Sequence, residues 1–133
     1  MSRAFAVTQV IDRPVDQVWR VLTDWSRAPE WMSGVDGVRV VGDTLHFRAR
    51  GRERTSAITD VRPGESVTLT SVQGGVRADY TYTVAGASAG TRATLVASVV
   101  VRGPWRLAAP VLRVVVRRTD GGQLAALKRL VEG

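Results

Sequence analysis

Few side chains in this sequence combine a reactive type with a useful spacing, and the sharpest pair is Tyr80 and Tyr82. They lie two residues apart in an alternating stretch, so a β-strand would place both on its apolar face. A buried tyrosine hydroxyl needs a hydrogen-bond partner and can orient an oxygen atom of a ligand. The alternative, for at least one of the two, is a tyrosine that reaches solvent at the rim of a sheet.

The other candidates are weaker. His46 is the only histidine, and alternation places it beside Arg48 on the solvated face of a strand, where catalysis or metal binding would lack partners. Asp24 and Glu30 flank tryptophans and could position a ligand. Helix capping, or pairing with Arg27, is the commoner role of such residues.

Several kinds of site are excluded by the sequence. It has no cysteine, which rules out disulfides, thiolate metal ligands and a cysteine nucleophile. It also lacks a serine-histidine-aspartate set with a well-placed histidine, an HExxH spacing and a glycine-rich phosphate loop after a strand. We therefore predict neither a metal nor a nucleotide cofactor.

Hydrophobic periodicity indicates which elements would position these residues. Residues 4 to 11 alternate as a first strand, Pro14 to Thr23 have the spacing of a short helix, and a second helix or turn follows Ser26. Six further strands are predicted, at Val35 to Val41, Thr44 to Ala49, Arg54 to Val61, Ser66 to Val72, Val76 to Val84 and Arg92 to Arg102. Their connections are short, with a loop over Ala85 to Gly90, so neighbouring strands must be antiparallel.

The last quarter of the chain, residues 104 to 131, predicts one long helix that covers the apolar face of the sheet. Its buried face is predicted to comprise Ala108, Val111, Leu112, Val115, Thr119, Gly122 and Ala126. Its opposite face is basic and comprises Arg106, Arg113, Arg117 and Lys128. Gly121 and Gly122 weaken the middle by roughly 1 kcal/mol per glycine relative to alanine, so we expect a bend or a change of face near Gly121.

The net charge of the chain is +7, and this terminal segment holds six basic side chains against one acidic one. Lys128 is the only lysine, and this preference for arginine is typical of a GC-rich bacterial genome. Three interpretations of the basic face stay open: a solvated surface, transient docking to an anionic membrane, and nucleic-acid binding. The last is disfavoured, because only 6% of residues are aromatic and few could stack on bases, so we predict no nucleic-acid partner.

The segment IDRPVDQVWRVLTDWSRAPEWMSGV resembles the START/Bet v1-like (SRPBCC) superfamily, specifically its polyketide cyclase/dehydrase and lipid-transport group. The segments ITDVRPGESVTLT and LAALKRLVEG support the resemblance, which covers nearly the whole chain. It implies an α+β helix-grip fold, in which a curved antiparallel sheet of about seven strands wraps around a long C-terminal helix. Two short helices would follow the first strand, and an apolar cavity would lie between sheet and terminal helix.

Apolar residues that alternate toward the terminal helix are the candidates for lining that cavity, although each could equally belong to a packed core. The predicted ligand-binding residues are Trp31, Phe47, Ile58, Leu69, Tyr80, Tyr82, Leu95, Ala97, Val99, Leu107, Val111 and Val115.

We expect a single cytoplasmic domain, residues 1 to 133, that binds a small hydrophobic molecule or lipid as a monomer or homodimer. One alternative is an aromatase or cyclase, which should place a buried tyrosine, aspartate or arginine with a shifted pKa in the cavity. The other is an interaction module that uses the basic helix face and has a filled interior.

Overall fold

An antiparallel sheet dominates the computed structural model, which describes residues 2–32, 34–49, 51–88, 90–103, 107 and 109–133. Its strands are β1 (Ser2–Ile11), β2 (Val35–Val41), β3 (Thr44–Ala49), β4 (Arg52–Arg62), β5 (Ser66–Gln73), β6 (Val76–Ala87) and β7 (Gly90–Val101). They are ordered β1-β7-β6-β5-β4-β3-β2, so β2 to β7 form successive hairpins and β1 pairs with β7. The short connections predicted this antiparallel arrangement correctly.

Two short helical segments follow β1, as predicted. Helix α1 (Val15–Leu22) begins after Pro14, whose φ of −61° suits a helix start, and buries Val18 and Leu22. A 3-10 helix (Trp25–Glu30) then turns the chain back and buries Trp25. The elements after the sheet are α2 (Ala109–Asp120) and α3 (Gln123–Glu132).

The two faces of the sheet differ in polarity, as alternation predicted. The inward face supplies Val67, Tyr82 and Leu95, which are almost fully buried in the core; α1 contacts β6 and β7, and α3 contacts β7. The outward face carries hydroxyl groups that bond across strands, with 3.0 Å between the Oγ1 atoms of Thr68 and Thr81. The core therefore lies on one side of the sheet, in the predicted α+β class.

The terminal segment forms two helices instead of the predicted single one. An added Cβ at Gly121 would lie 2.5 Å from the carbonyl oxygen of Arg117, so the end of α2 has room only for glycine at this position. The expected change of face near Gly121 is thereby confirmed as a break between helices. Beyond it, α3 packs on the core through Leu124, Leu127 and Val131.

The face of α2 that we predicted to be buried is largely exposed. Val111 and Val115 are 64% and 46% exposed. Because the helix breaks, the buried face of α2 does not continue that of α3, and α2 contacts the sheet at β1 and β7. Ala126 packs on the core as predicted, whereas Gly122 is exposed. Predictions for Arg106, Ala108, Leu112, Arg113 and Thr119 fall outside the residues whose side chains are described.

The predicted loop over Ala85 to Gly90 is wrong, since most of it is strand. Ala85 pairs with Arg92 and Ala87 with Gly90, so β6 and β7 stay paired almost to the turn. Gly90 also lies against the chain after β1, where the buried Thr91 hydroxyl donates to the Arg13 carbonyl at 2.8 Å. This contact holds the end of the hairpin against the start of the helical segment.

Candidate functional site

A cavity of about 570 Å³ lies between the inward face of the sheet and the helices. Strands β2 to β6 form most of its wall, Ala28 of the 3-10 helix and Met32 after it border the cavity, and Val116 and Gln123 line it from α2 and α3. This volume falls within the range of roughly 300–1,000 Å³ that small-molecule sites occupy. The architecture therefore leaves room for a ligand beside its packed core.

The apolar wall arises from strand alternation. Leu45 and Phe47 lie two residues apart on β3 and both line the cavity, as does Leu69 on β5, which is directly opposite Tyr80 on β6. Successive side chains of a strand point to opposite faces, so this set shares the inward face. The wall is suited to the body of an apolar molecule.

One end of the cavity is closed by a buried polar contact. The Tyr82 hydroxyl donates to the Gln123 side-chain oxygen at 2.7 Å, linking β6 to α3. Trp31 packs edge-on against Tyr82, with ring centroids 5.6 Å apart and planes at 88°. The Trp31 indole N–H is buried and has no hydrogen-bond partner among the described residues, and Trp31 itself lies behind the cavity wall.

A second group of polar side chains lines the cavity on β4 and β5. The hydroxyl oxygens of Ser56 and Ser71 are 2.5 Å apart, and Ser71 lies 3.4 Å from the Thr55 carbonyl oxygen. Arg54 precedes Ser56 by two residues and lines the same cavity. Sequence reasoning missed these residues because it searched for apolar ones, although Arg54 and Ser56 have even spacing from Ile58 on β4, and Ser71 lies two residues after Leu69 on β5.

The cavity adjoins a polar cleft at the end of the sheet formed by β2 and β3. Phe47, Arg54, Thr55 and Gln73 line both spaces. The cleft is further bordered by two acidic and three basic or imidazole side chains, which are Asp36, Glu53, Arg39, His46 and Arg48. His46 thus lies on the polar outer side, as alternation predicted.

Five of the predicted ligand-binding residues line the cavity: Phe47, Leu69, Tyr80, Tyr82 and Val115. Ile58 lies outside the lining and packs, half-buried, against the core. Trp31, Leu95, Ala97 and Val99 are buried in the protein interior, also outside the cavity wall. The β7 residues are covered because α1 and α3 pack against that strand.

Two predicted lining residues near the start of α2 are exposed. Leu107 is 93% exposed and precedes the first turn of α2, and Val111 lies on the solvent side of that helix. Both were placed in the cavity by projecting one continuous helix from residue 104 onward, which the break at Gly121 invalidates. Their positions are a correction to the predicted site.

The charged residues near the tryptophans pair with one another. Arg27 and Glu30 are 2.8 Å apart, and this hydrogen bond raises the pKa of the guanidinium and lowers the pKa of the carboxyl. Asp24 accepts a hydrogen bond from the Ser26 hydroxyl at 2.6 Å. The expected local pairing is confirmed, and these groups lie outside the cavity wall.

Two kinds of feature are absent from the described parts of the chain. They contain no cluster of three or more histidine, cysteine, aspartate or glutamate side chains that could hold a metal ion. No helix among them is long and apolar enough to cross a membrane.

Comparison with known proteins gives the context of this arrangement. Residues 2–132 match the family described as "Polyketide cyclase / dehydrase and lipid transport". A comparison with curated protein sequences finds no match.

Solved structures resemble the fold over nearly its whole length. A START superfamily protein from Mycobacterium smegmatis has a TM-score of 0.79 at 14% identity, covering 96% of each chain. The Zhui aromatase/cyclase from Streptomyces sp. R1128 has a TM-score of 0.78 at 18% identity, covering 96% of this chain and 92% of the other. A protein from Thermus thermophilus, TTHA0849, has a TM-score of 0.73 at 17% identity, covering 95% and 94%. At such identities the likeness concerns the fold alone, which is the predicted helix-grip fold. The family match over residues 2–132 shows that this chain belongs to the polyketide cyclase/dehydrase and lipid-transport family.

Proposed function

We propose that the protein binds a small hydrophobic molecule or lipid in the cavity between the sheet and the C-terminal helices. The observation that carries this proposal is the cavity itself, about 570 Å³ in volume and walled by Leu45, Phe47, Leu69 and Tyr80. Small-molecule sites are concave, mostly apolar and few per protein, so an apolar cavity of this size favours a ligand. The family description, which includes lipid transport, agrees with this proposal.

The two alternatives are less well supported. An interaction module with a filled interior does not fit a cavity of this volume. An aromatase or cyclase would use the same cavity, and the structurally similar Zhui protein is an aromatase/cyclase. However, the Tyr82 hydroxyl is hydrogen-bonded to Gln123, and the Ser56 hydroxyl to Ser71. Such bonds are as typical of side chains that hold a cavity wall in place as of side chains that react with a substrate. We therefore propose binding as the function and leave catalysis out of it.

The proposal can be tested by filling the cavity. Ala78 lines it from β6, so Ala78→Trp would occupy ligand space. Ala85, an exposed residue of the same strand, gives the matched control Ala85→Trp. Uptake of an apolar fluorescent dye and of phospholipid-derived fatty acids should weaken about tenfold or more in Ala78→Trp and stay unchanged in Ala85→Trp. Thermal unfolding of both variants would establish that each is folded.

Native mass spectrometry provides an independent test. Protein purified from its own host should retain an apolar molecule that denaturing extraction releases and identifies. An apo mass together with no dye uptake by the unmodified protein would contradict the proposal. Equal uptake by both tryptophan variants would place the bound molecule elsewhere on the protein.

A further inference from the structure

Arg54 brings a positive charge to a cavity wall that is otherwise mainly apolar. It lies on β4 directly opposite Phe47 of β3, and both line the cavity. The residue is half-buried, so part of its side chain is shielded from bulk water. A shielded cation is costly unless an anion or hydrogen-bond acceptors lie beside it.

No carboxylate of the described residues provides that partner. The ion pairs among them join Arg27 with Glu30, Arg62 with Asp60, Arg77 with Asp79 and Lys128 with Glu132. Glu53 precedes Arg54 but is opposite Arg48 on the other face of the sheet. Among the described residues, therefore, no carboxylate competes with a bound anion for the N–H donors of the Arg54 guanidinium.

A hydroxyl pair continues the polar strip further along β4. Ser56 follows Arg54 by two residues, about 6.6 Å along the strand, and is only 6% exposed. Its hydroxyl oxygen lies 2.5 Å from that of Ser71 on β5. When Ser56 donates to Ser71 and Ser71 donates to the Thr55 carbonyl oxygen at 3.4 Å, both hydroxyl hydrogens have partners, so the pair gives the cavity a polar wall and the guanidinium supplies the donors.

Arg54 also lies where the cavity meets the polar cleft, since it lines both spaces. The cleft side adds Arg39, Arg48 and His46, against the carboxylates of Asp36 and Glu53. A head group at this junction would meet polar surroundings, while the rest of the molecule would meet apolar ones. The arrangement thus separates two chemical environments within the length of one ligand.

We infer that the ligand is an amphipathic anion, whose apolar body lies along Leu45, Phe47 and Leu69 and whose carboxylate or phosphate head binds Arg54 beside the Ser56 and Ser71 hydroxyls. This inference rests on the proposed function and adds the ligand class to it. The planar guanidinium binds either head group through paired hydrogen bonds. What the carboxylate and the phosphate share is a group of anionic oxygens at one end of an apolar chain.

Binding of three probes with the same chain tests this inference: decanoate, decyl phosphate and 1-decanol. Affinities would be measured by displacement of a cavity-bound dye, with the unmodified protein, Arg54→Met and Arg52→Met. Arg52 lies two residues earlier on the same strand and is exposed outside both spaces, so its loss removes an equal charge without touching the site. The unmodified protein and Arg52→Met should bind one of the anionic probes about tenfold more tightly than decanol. Arg54→Met should lose this preference, so that its affinities for decanol and for the two anionic probes become similar.

The outcomes separate the inference from the proposed function. Equal affinity of the unmodified protein for decanol and for both anions would overturn the inference while supporting apolar binding. An equal loss of preference in Arg52→Met and Arg54→Met would also overturn it, because general surface charge would then explain the selectivity. Failure to bind any probe would overturn both. The better of the two anions would identify the head group as a carboxylate or a phosphate.

Discussion

Tyr82 and Gln123 are joined by a hydrogen bond of 2.7 Å across the interior, from the middle of the sheet to the first turn of α3. Both side chains are buried, at 2% and 6% exposure. Because this end of the cavity depends on where α3 lies, the bond positions the wall as well as stabilising it. A buried bond between neutral side chains typically contributes about 1 kcal/mol.

A double-mutant cycle should detect this bond. Tyr82→Phe and Gln123→Met should each lower the free energy of unfolding, and the double variant should lose about 1 kcal/mol less than the sum of the two. Urea unfolding at pH 7 measures all four proteins. Losses that add to within about 0.3 kcal/mol would mean that the two side chains do not stabilise each other.

Gly90 is predicted to be intolerant of any side chain. Its φ is +131°, and an added Cβ would lie 2.3 Å from the Ile11 carbonyl oxygen and 2.9 Å from the Arg13 nitrogen, both on the main chain. Gly90→Ala should therefore lower the free energy of unfolding by more than about 1 kcal/mol. Gly86 on the paired strand has nothing within 4 Å of an added Cβ, so Gly86→Ala should be neutral or slightly stabilising in the same urea experiment. Equal effects of the two substitutions would contradict the close approach at Gly90.

The strand side of the cavity was predictable from the sequence. Side chains two residues apart must share a face, so Tyr80 and Tyr82 could be assigned to the inward side without knowing any contact. Alternation does not say whether an inward residue lines a space or packs against a helix. Leu95 and Ala97 are inward on β7 and buried in the core, because α1 and α3 cover that strand.

The helical side of the cavity was less predictable, because which helix residues face the sheet depends on where the helix breaks. A rotation of 100° per residue predicts which residues share a helix face only as long as the helix is uninterrupted. The break at Gly121 gives α2 and α3 separate orientations, which is why Val111 is exposed whereas Leu124 and Leu127 are buried. Arg54 was missed for a different reason, since a search for apolar periodicity passes over a polar residue at an inward position.

The break itself makes a prediction for the two glycines that form it. Gly121→Ala would bring a Cβ to 2.5 Å from the Arg117 carbonyl oxygen and should lower the melting temperature. Gly122 is the N-cap of α3, with φ −93° and nothing within 4 Å of an added Cβ, so Gly122→Ala exchanges one cap residue for a poorer one without a clash and should lower the melting temperature less than Gly121→Ala. Circular dichroism melts of the two variants provide the comparison. A Gly121→Ala protein at least as stable as Gly122→Ala would show that the helix end is not tight.

Glu132 should make part of the stability of the protein depend on pH. Its carboxylate accepts a hydrogen bond from the Asp12 backbone N–H at 2.8 Å and another from Lys128, tying the end of α3 to the end of β1. The Asp12 bond first, and then the Lys128 bond, lower the pKa of Glu132 below its ordinary value of 4.5. A carboxyl with a lowered pKa in the folded state stabilises the protein above its ordinary pKa, and this stabilisation is lost as the pH falls through the folded value.

Removing the carboxylate should therefore change the acid side of the stability profile. Glu132→Gln should melt at a lower temperature than the unmodified protein at pH 6, and its melting temperature should fall less between pH 6 and pH 3. The matched control is Glu65→Gln, because the exposed Glu65 carboxylate makes no ion pair with the described residues and its loss should leave the Glu132 contribution in place. Melting temperatures measured by circular dichroism at several pH values between these limits would trace the loss. If the melting temperatures of Glu132→Gln and of the unmodified protein fell by the same amount, the contact between α3 and β1 would not depend on the charge of Glu132. The hydrogen bond from the Arg13 guanidinium to the Glu132 main-chain carbonyl at 2.7 Å would then be the contact that holds the helix end in place.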